Sequence, residues 1–158
     1  MTKYLLVFFA LILLVSLSSQ TADPKTPNPT RTPSLAHIEL TRYGFPIGLL
    51  PSAVKNYTVN PVSGDFVVDF GDACKITLPP DNYLATYSKK VTGKINHGRI
   101  AEINGISVRA FYQWWSITGI RSSGENLVFE VGMVSAKYPS KNFNDSPACE
   151  GRRRHSSS

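Results

Sequence analysis

What this chain has little of narrows its chemistry before any motif is sought. It holds three histidines, two cysteines and 11 acidic residues in 158, and they are scattered. A metal centre needs ligands gathered at short spacing, so none is expected and nothing in the sequence asks for a cofactor. There is no Gly-x-Ser-x-Gly elbow, no His-Glu-x-x-His, no phosphate-binding loop and no dinucleotide glycine pattern. Near-neutral bases are limited to His37, His97 and His155, and Asp69 with Asp72 reads as a strand end and turn, not a carboxylate pair. No catalytic residue is assigned. Apolar runs are short too: the longest, near the N-terminus, falls below the roughly 20 residues that a membrane-crossing helix needs.

Positive charge is present but misplaced for nucleic acid. The formal charge is +6, yet setting aside Lys3 and Arg152, Arg153 and Arg154 leaves 13 basic against 11 acidic residues. The excess is terminal, not a folded stripe that tracks phosphates, so no nucleic-acid partner is expected. The hydrophobic share of 42% and charged share of 18% are those of an ordinary globular chain.

The N-terminus carries the most specific signal. A weakly basic start, Met1-Thr2-Lys3-Tyr4, precedes the uncharged run Leu5 to Val15, then Ser16-Leu17-Ser18-Ser19. That is the order of a secretory signal peptide, predicted over residues 1–18, with cutting after Ser19 or Ala22 as alternatives. A signal anchor is the competing reading. Residues 19–33 hold Pro24, Pro27, Pro29 and Pro33 and read as an extended proline-rich linker. Residues 34–150 form one expected domain, and 151–158 a basic, serine-rich disordered tail. The expected product is secreted, with no transmembrane segment once the signal is removed.

Export changes the meaning of Cys74 and Cys149, which in an oxidising compartment pair most simply as a disulfide. A free nucleophilic thiol is the alternative, and no neighbouring base supports it. Asn56-Tyr57-Thr58 and Asn144-Asp145-Ser146 are glycosylation acceptors, the second weakened by Pro147.

Ser34 is positioned to cap a short helix with Leu35 and Ile38 on one face, ended by Gly44 and Pro46. Beyond Tyr57 the period becomes two. Alternating sets run over Phe66–Phe70, Cys74–Leu78, Tyr83–Ile95, Ile106–Trp114 and Leu127–Met133, the last with Val128 and Val134 opposite. Turn formers at Ser63-Gly64, Asn96-His97-Gly98, Asn104-Gly105 and Ser122-Ser123-Gly124 separate them. The fold class expected is mainly β, an antiparallel β-sandwich or flattened barrel with one short N-terminal helix.

Several segments in this order resemble a known family. They are Gly44-Phe45-Pro46-Ile47-Gly48-Leu49-Leu50-Pro51, Thr92-Gly93-Lys94-Ile95, Gly98-Arg99-Ile100, Phe129-Glu130-Val131-Gly132 and Phe143-Asn144-Asp145-Ser146-Pro147-Ala148-Cys149. From Ile38 to Cys149 the chain is similar to the plant "domain of unknown function 538" group. Two departures stand out: Trp114-Trp115-Ser116 replaces the usual tryptophan-leucine-proline, and Arg152 to Ser158 is extra. The resemblance implies a β-rich sandwich-like fold and a Cys74–Cys149 pair. That group has been likened to lipid-binding proteins of the bactericidal/permeability-increasing type, and hydrolase roles have been proposed for it. It supplies no catalytic residue to transfer.

Aromatic side chains are the remaining clue. Phe111, Tyr112, Trp114 and Trp115 sit on both faces of what reads as one strand, so Tyr112 and Trp114 share one side and Phe111 and Trp115 the other. Burial of both faces explains this, and so does an apolar ligand pocket. Lys89, Lys90 and Lys94 offer a charged rim for an acidic headgroup, or edge charges that block aggregation. The expected role is a non-enzymatic binding module for a lipid or other apolar or amphiphilic molecule, with Tyr112, Trp114, Trp115, Lys89 and Lys90 as ligand residues. An ester hydrolase and an extracellular interaction protein without a small ligand are the alternatives.

Overall fold

A computed structural model describes residues 33–151. The expected signal peptide, nearly all of the proline-rich linker, the tail beyond Gly151 and His155 lie outside the described residues.

The chain opens with helix α1 (Leu35–Arg42), which Gly44 ends by taking a φ of 87° that glycine adopts without steric cost. Two expectations for this helix need correction. Leu35 and Ile38 are exposed, and the buried face is Ala36, His37 and Leu40. Ser34 occupies the N-cap, but its hydroxyl bonds to the His37 ring rather than to a backbone N–H. A single 3-10 turn, Ile47–Leu49, follows.

Among the described residues, nine antiparallel strands then form one unclosed sheet. They are β1 (Asn56–Val59), β2 (Asp65–Asp69), β3 (Cys74–Leu78), β4 (Tyr83–Asn96), β5 (Arg99–Ala110), β6 (Gln113–Ser116), β7 (Gly119–Ser123), β8 (Asn126–Val131) and β9 (Val134–Pro139). The two long strands organise the rest. The first half of β4 pairs with β3 and with the second half of β5, which in turn pairs with β6. The second half of β4 pairs with β2, while the start of β5 pairs with β7 and so leads on to β8 and β9. Register shifts between Tyr87 and Lys94 separate the halves, so one ribbon serves two sets of neighbours, the arrangement of a sandwich or flattened barrel.

The shift corrects the reading of Asn104-Gly105. These residues make no turn; they lie inside β5 at the irregularity. Gly105 has a φ of 103°, and a Cβ there would stand 2.7 Å from the Lys90 carbonyl oxygen. Glycine here permits close approach and a bulge, not a reversal.

Two further boundaries differ. The alternating set Ile106–Trp114 is two strands, because the chain reverses between Ala110 and Gln113 through Phe111 and Tyr112. The set ending at Met133 likewise stops at Val131, reverses through Gly132 and Met133, and Val134 begins β9.

The core lies between the sheet's inner face and α1. Phe70, Ile76 and Leu127 are essentially inaccessible, each worth about 1.5–3 kcal/mol of burial. Phe70 meets Tyr87 edge to face at 5.7 Å, and Tyr87 donates its hydroxyl to the Leu49 carbonyl at 2.9 Å. Burial pushes that hydroxyl far above its ordinary pKa, so it remains a donor. Cys74 and Cys149 form a disulfide that closes a 75-residue separation and ties the C-terminal segment to β3.

Candidate functional site

The structure has an apolar cleft of about 410 Å³, within the range of small-molecule sites. It is bounded by the turn after β3, by the β5–β6 hairpin and by β8 and β9. Strand alternation decides what each contributes. Val108 and Trp115 are cross-strand partners on the β5–β6 hairpin and share its inner face. Trp115 donates its ring N–H to the Ala110 carbonyl at 3.1 Å, which satisfies the indole and leaves its ring as wall. Phe129 anchors the floor, with Tyr138 and Phe143 rings 6.1 and 5.4 Å away.

No charged side chain lines the cleft. Its polar groups besides the indole are the hydroxyls of Tyr83, Tyr138 and Ser135. Burial first, then the nearby Tyr83 and Asp81, raise the pKa of Tyr138. It therefore stays a neutral phenol. The cleft is mainly apolar with a few hydroxyls in its lining, which suits an apolar molecule with an uncharged or donor headgroup.

The expected ligand residues divide. Trp115 lines the cleft, as does Phe111, which was not among them; Tyr112 and Trp114 do not. Tyr112 is 95% exposed at the hairpin tip, and Trp114 pairs with Arg109. Lys89 and Lys90 lie on the middle of β4, away from the cleft, with Lys90 opposite Asp69. Lys94 stands 3.9 Å from Glu102. Tyr83, Tyr138 and Ser135 carried no sequence signal, because the cleft assembles from hairpins far apart in the chain. Asn56, on edge strand β1, and Asn144 are both exposed.

A second cavity, about 70 Å³ and almost wholly apolar, lies between α1 and the sheet. It is too small for an organic ligand. No group of three or more His, Cys, Asp or Glu among the described residues is placed to hold a metal ion.

One polar cluster resembles catalytic machinery in outline. His37, 2% exposed, places Nδ1 2.6 Å from the Ser34 hydroxyl and Nε2 3.0 Å from that of Ser146 and 3.1 Å from the Leu50 carbonyl. A carbonyl only accepts, so Nε2 carries the proton, and Ser34 donates to Nδ1. Ser146 also donates to Leu50. A nucleophilic serine needs an unprotonated ring nitrogen to take its proton. Here that nitrogen is a donor and the serine proton is already committed. The cluster is a buried staple joining α1, the Leu50 segment and the C-terminal segment. His97 lies exposed in the β4–β5 turn, and neither histidine lines the cleft.

Comparison with known proteins gives a family and stops short of an activity. The chain is 24% identical over 98 residues to Uncharacterized protein At5g01610 of Arabidopsis thaliana, covering 62% of this chain and 56% of that protein. It thus spans little more than half of that relative's length. The family described as "Protein of unknown function, DUF538" matches residues 36–144, which takes in α1, all nine strands and the cleft, and the chain belongs to that family.

Proposed function

We propose that this protein is a secreted, non-enzymatic binding module that holds a lipid or other apolar, amphiphilic molecule in the cleft between β5–β6 and β8–β9. The observation that carries the reading is the cleft itself: about 410 Å³, walled by Trp115 and Phe111, with hydroxyls as its polar side chains apart from the satisfied indole. Burying an apolar molecule there gains about 25 cal/mol per Å² of surface removed from water. Tyr83 and Tyr138 orient the polar end. The absence of a lining cation favours an alcohol, ester or amine over a carboxylate ligand. The signal-peptide pattern expected over residues 1–18 and the disulfide support secretion, and exposed Asn56 suits a glycan that shields edge strand β1.

The test is native mass spectrometry of the chain from a plant secretory host, beside a lipid-extracted control. A discrete mass lost on extraction supports a carried ligand. Trp115→Ala should weaken uptake of a long-chain alcohol by about tenfold, while Trp114→Ala, outside the cleft, should leave it within about twofold. Equal effects from both, or from neither, would sink the assignment. A clean apo mass with no uptake would favour the reading as an interaction protein.

A further inference from the structure

Of the two hairpin tips that border the cleft, the β8–β9 tip has Gly132 at its positive-φ position, but the β5–β6 tip is built unlike an ordinary turn. Phe111 and Tyr112 connect β5 to β6 with φ values of 51° and 65°. Both positions therefore lie in the left-handed region, where Asn-Gly is at ease and bulky side chains are strained. Two aromatic residues occupy them nonetheless, and they are 85% and 95% exposed, so burial in the fold does not compensate the strain. At the β8–β9 tip, Met133 is fully exposed and Val134 is 64% exposed. Isolated apolar side chains on a surface are unremarkable, but these gather on two tips around one opening. Phe111 and Val134 both line the cleft, and Tyr112 and Met133 are their neighbours in sequence.

No acidic residue sits at either tip, and the nearest on the β8–β9 hairpin, Glu130, is ion-paired with Arg99 and Arg121. Residues 109–116 and 131–137 contain Arg109 and Lys137 and no acidic residue. Arg109 is exposed and directly opposite Trp114 across the hairpin. Exposed apolar tips, a flanking tryptophan and nearby cations match the chemistry of an interface that enters the headgroup layer of a membrane.

We infer that the Phe111–Tyr112 and Met133–Val134 tips dock the protein on an anionic lipid bilayer, bringing the cleft mouth to the membrane surface. This docking rests on the reading of the cleft as a lipid site only for its purpose. The contact itself needs no cargo, and the two are measured separately.

The experiment uses the full chain collected from a secretory host, every variant sharing the same N-terminus. Co-sedimentation with phosphatidylcholine vesicles containing phosphatidylserine is measured beside uptake of a dispersed apolar fluorescent probe. The double variant Tyr112→Gly, Met133→Ser changes two residues outside the cleft lining, and glycine suits the φ of 65° at position 112, so folding is not at risk. Vesicle partitioning should fall at least about tenfold while probe uptake is retained. Replacing Ala136, which lines the cleft, with Phe should do the reverse. Unchanged vesicle binding in the double variant overturns the proposal and leaves the cleft reading standing. A wild-type dimer that the double variant converts to monomer, with no vesicle binding by either, also overturns it, because the tips would then cover each other.

Discussion

Replacing His37 with glutamine tests whether the buried staple is structural and neutral. Glutamine keeps an N–H donor for the Leu50 carbonyl but removes the ring and the acceptor facing Ser34. One net hydrogen bond and some packing are lost, a destabilisation of about 1–3 kcal/mol near pH 7.5. The pH dependence is more telling. Burial lowers the pKa of His37 below 6.5, and its bonds to the Leu50 and Pro51 backbone only partly offset this. A depressed pKa means that the unfolded chain takes up the proton first. The wild type is thus fully stabilised above pH 6.5 and loses stability as pH falls through the folded-state value. The loss has a limiting slope of about 1.4 kcal/mol per pH unit. His37→Gln has no such proton to bind, so the gap between the two proteins should narrow on acidification. Urea unfolding followed by circular dichroism from about pH 7.5 to about pH 5 measures it. A gap that stays constant or widens would refute the neutral, Nε2-protonated assignment. Ligand uptake should be unchanged wherever both proteins are folded.

Two other perturbations test the frame that holds the cleft. Reducing the Cys74–Cys149 bond releases a 75-residue loop and should cost about 4 kcal/mol on the chain-entropy estimate, read as a lowered urea midpoint in reductant; a loss below about 1 kcal/mol would show that packing already fixes the C-terminal segment. Gly48→Ala would drive a methyl group into the Phe143 carbonyl and to 2.6 Å from the Asp145 carbonyl oxygen, both backbone. It should destabilise by about 3 kcal/mol, measured by thermal unfolding, and a neutral result would mean that the C-terminal segment yields easily.

Much of the fold was legible because most of its signals are local. Alternation located β2, β3, β4, the second half of β5 and β8 but gave no set for β7, and Asn96-His97-Gly98 and Ser122-Ser123-Gly124 mark real reversals. Ser34 and Gly44 bracket the helix, but its buried face, Ala36, His37 and Leu40, includes a polar residue that no apolar pattern marks. Asn104-Gly105 carries the composition of a hairpin turn and serves as a bulge. A local signal marks unusual backbone there, but only the partner strand decides whether the chain reverses. The site was less legible for the same reason. Tyr83, Tyr138 and Trp115 come together through pairings set by the bend in β4 and β5, which no short window encodes.

The aromatic cluster shows how a correct signal can carry the wrong geometry. Large apolar groups on both faces of one strand imply that both faces need covering. The premise fails because Phe111-Tyr112 is a reversal with no turn residue to announce it. Once the strand is split, the excess no longer needs a cover. Trp115 and Phe111 become cleft wall, and Tyr112 becomes an exposed tip. That division joins the two functional inferences. A turn selected for stability alone would place Asn-Gly at these positions and save up to about 1–3 kcal/mol per strained residue. Carrying phenylalanine and tyrosine instead concentrates apolar surface at the mouth of an apolar cleft, the feature on which the proposed docking rests.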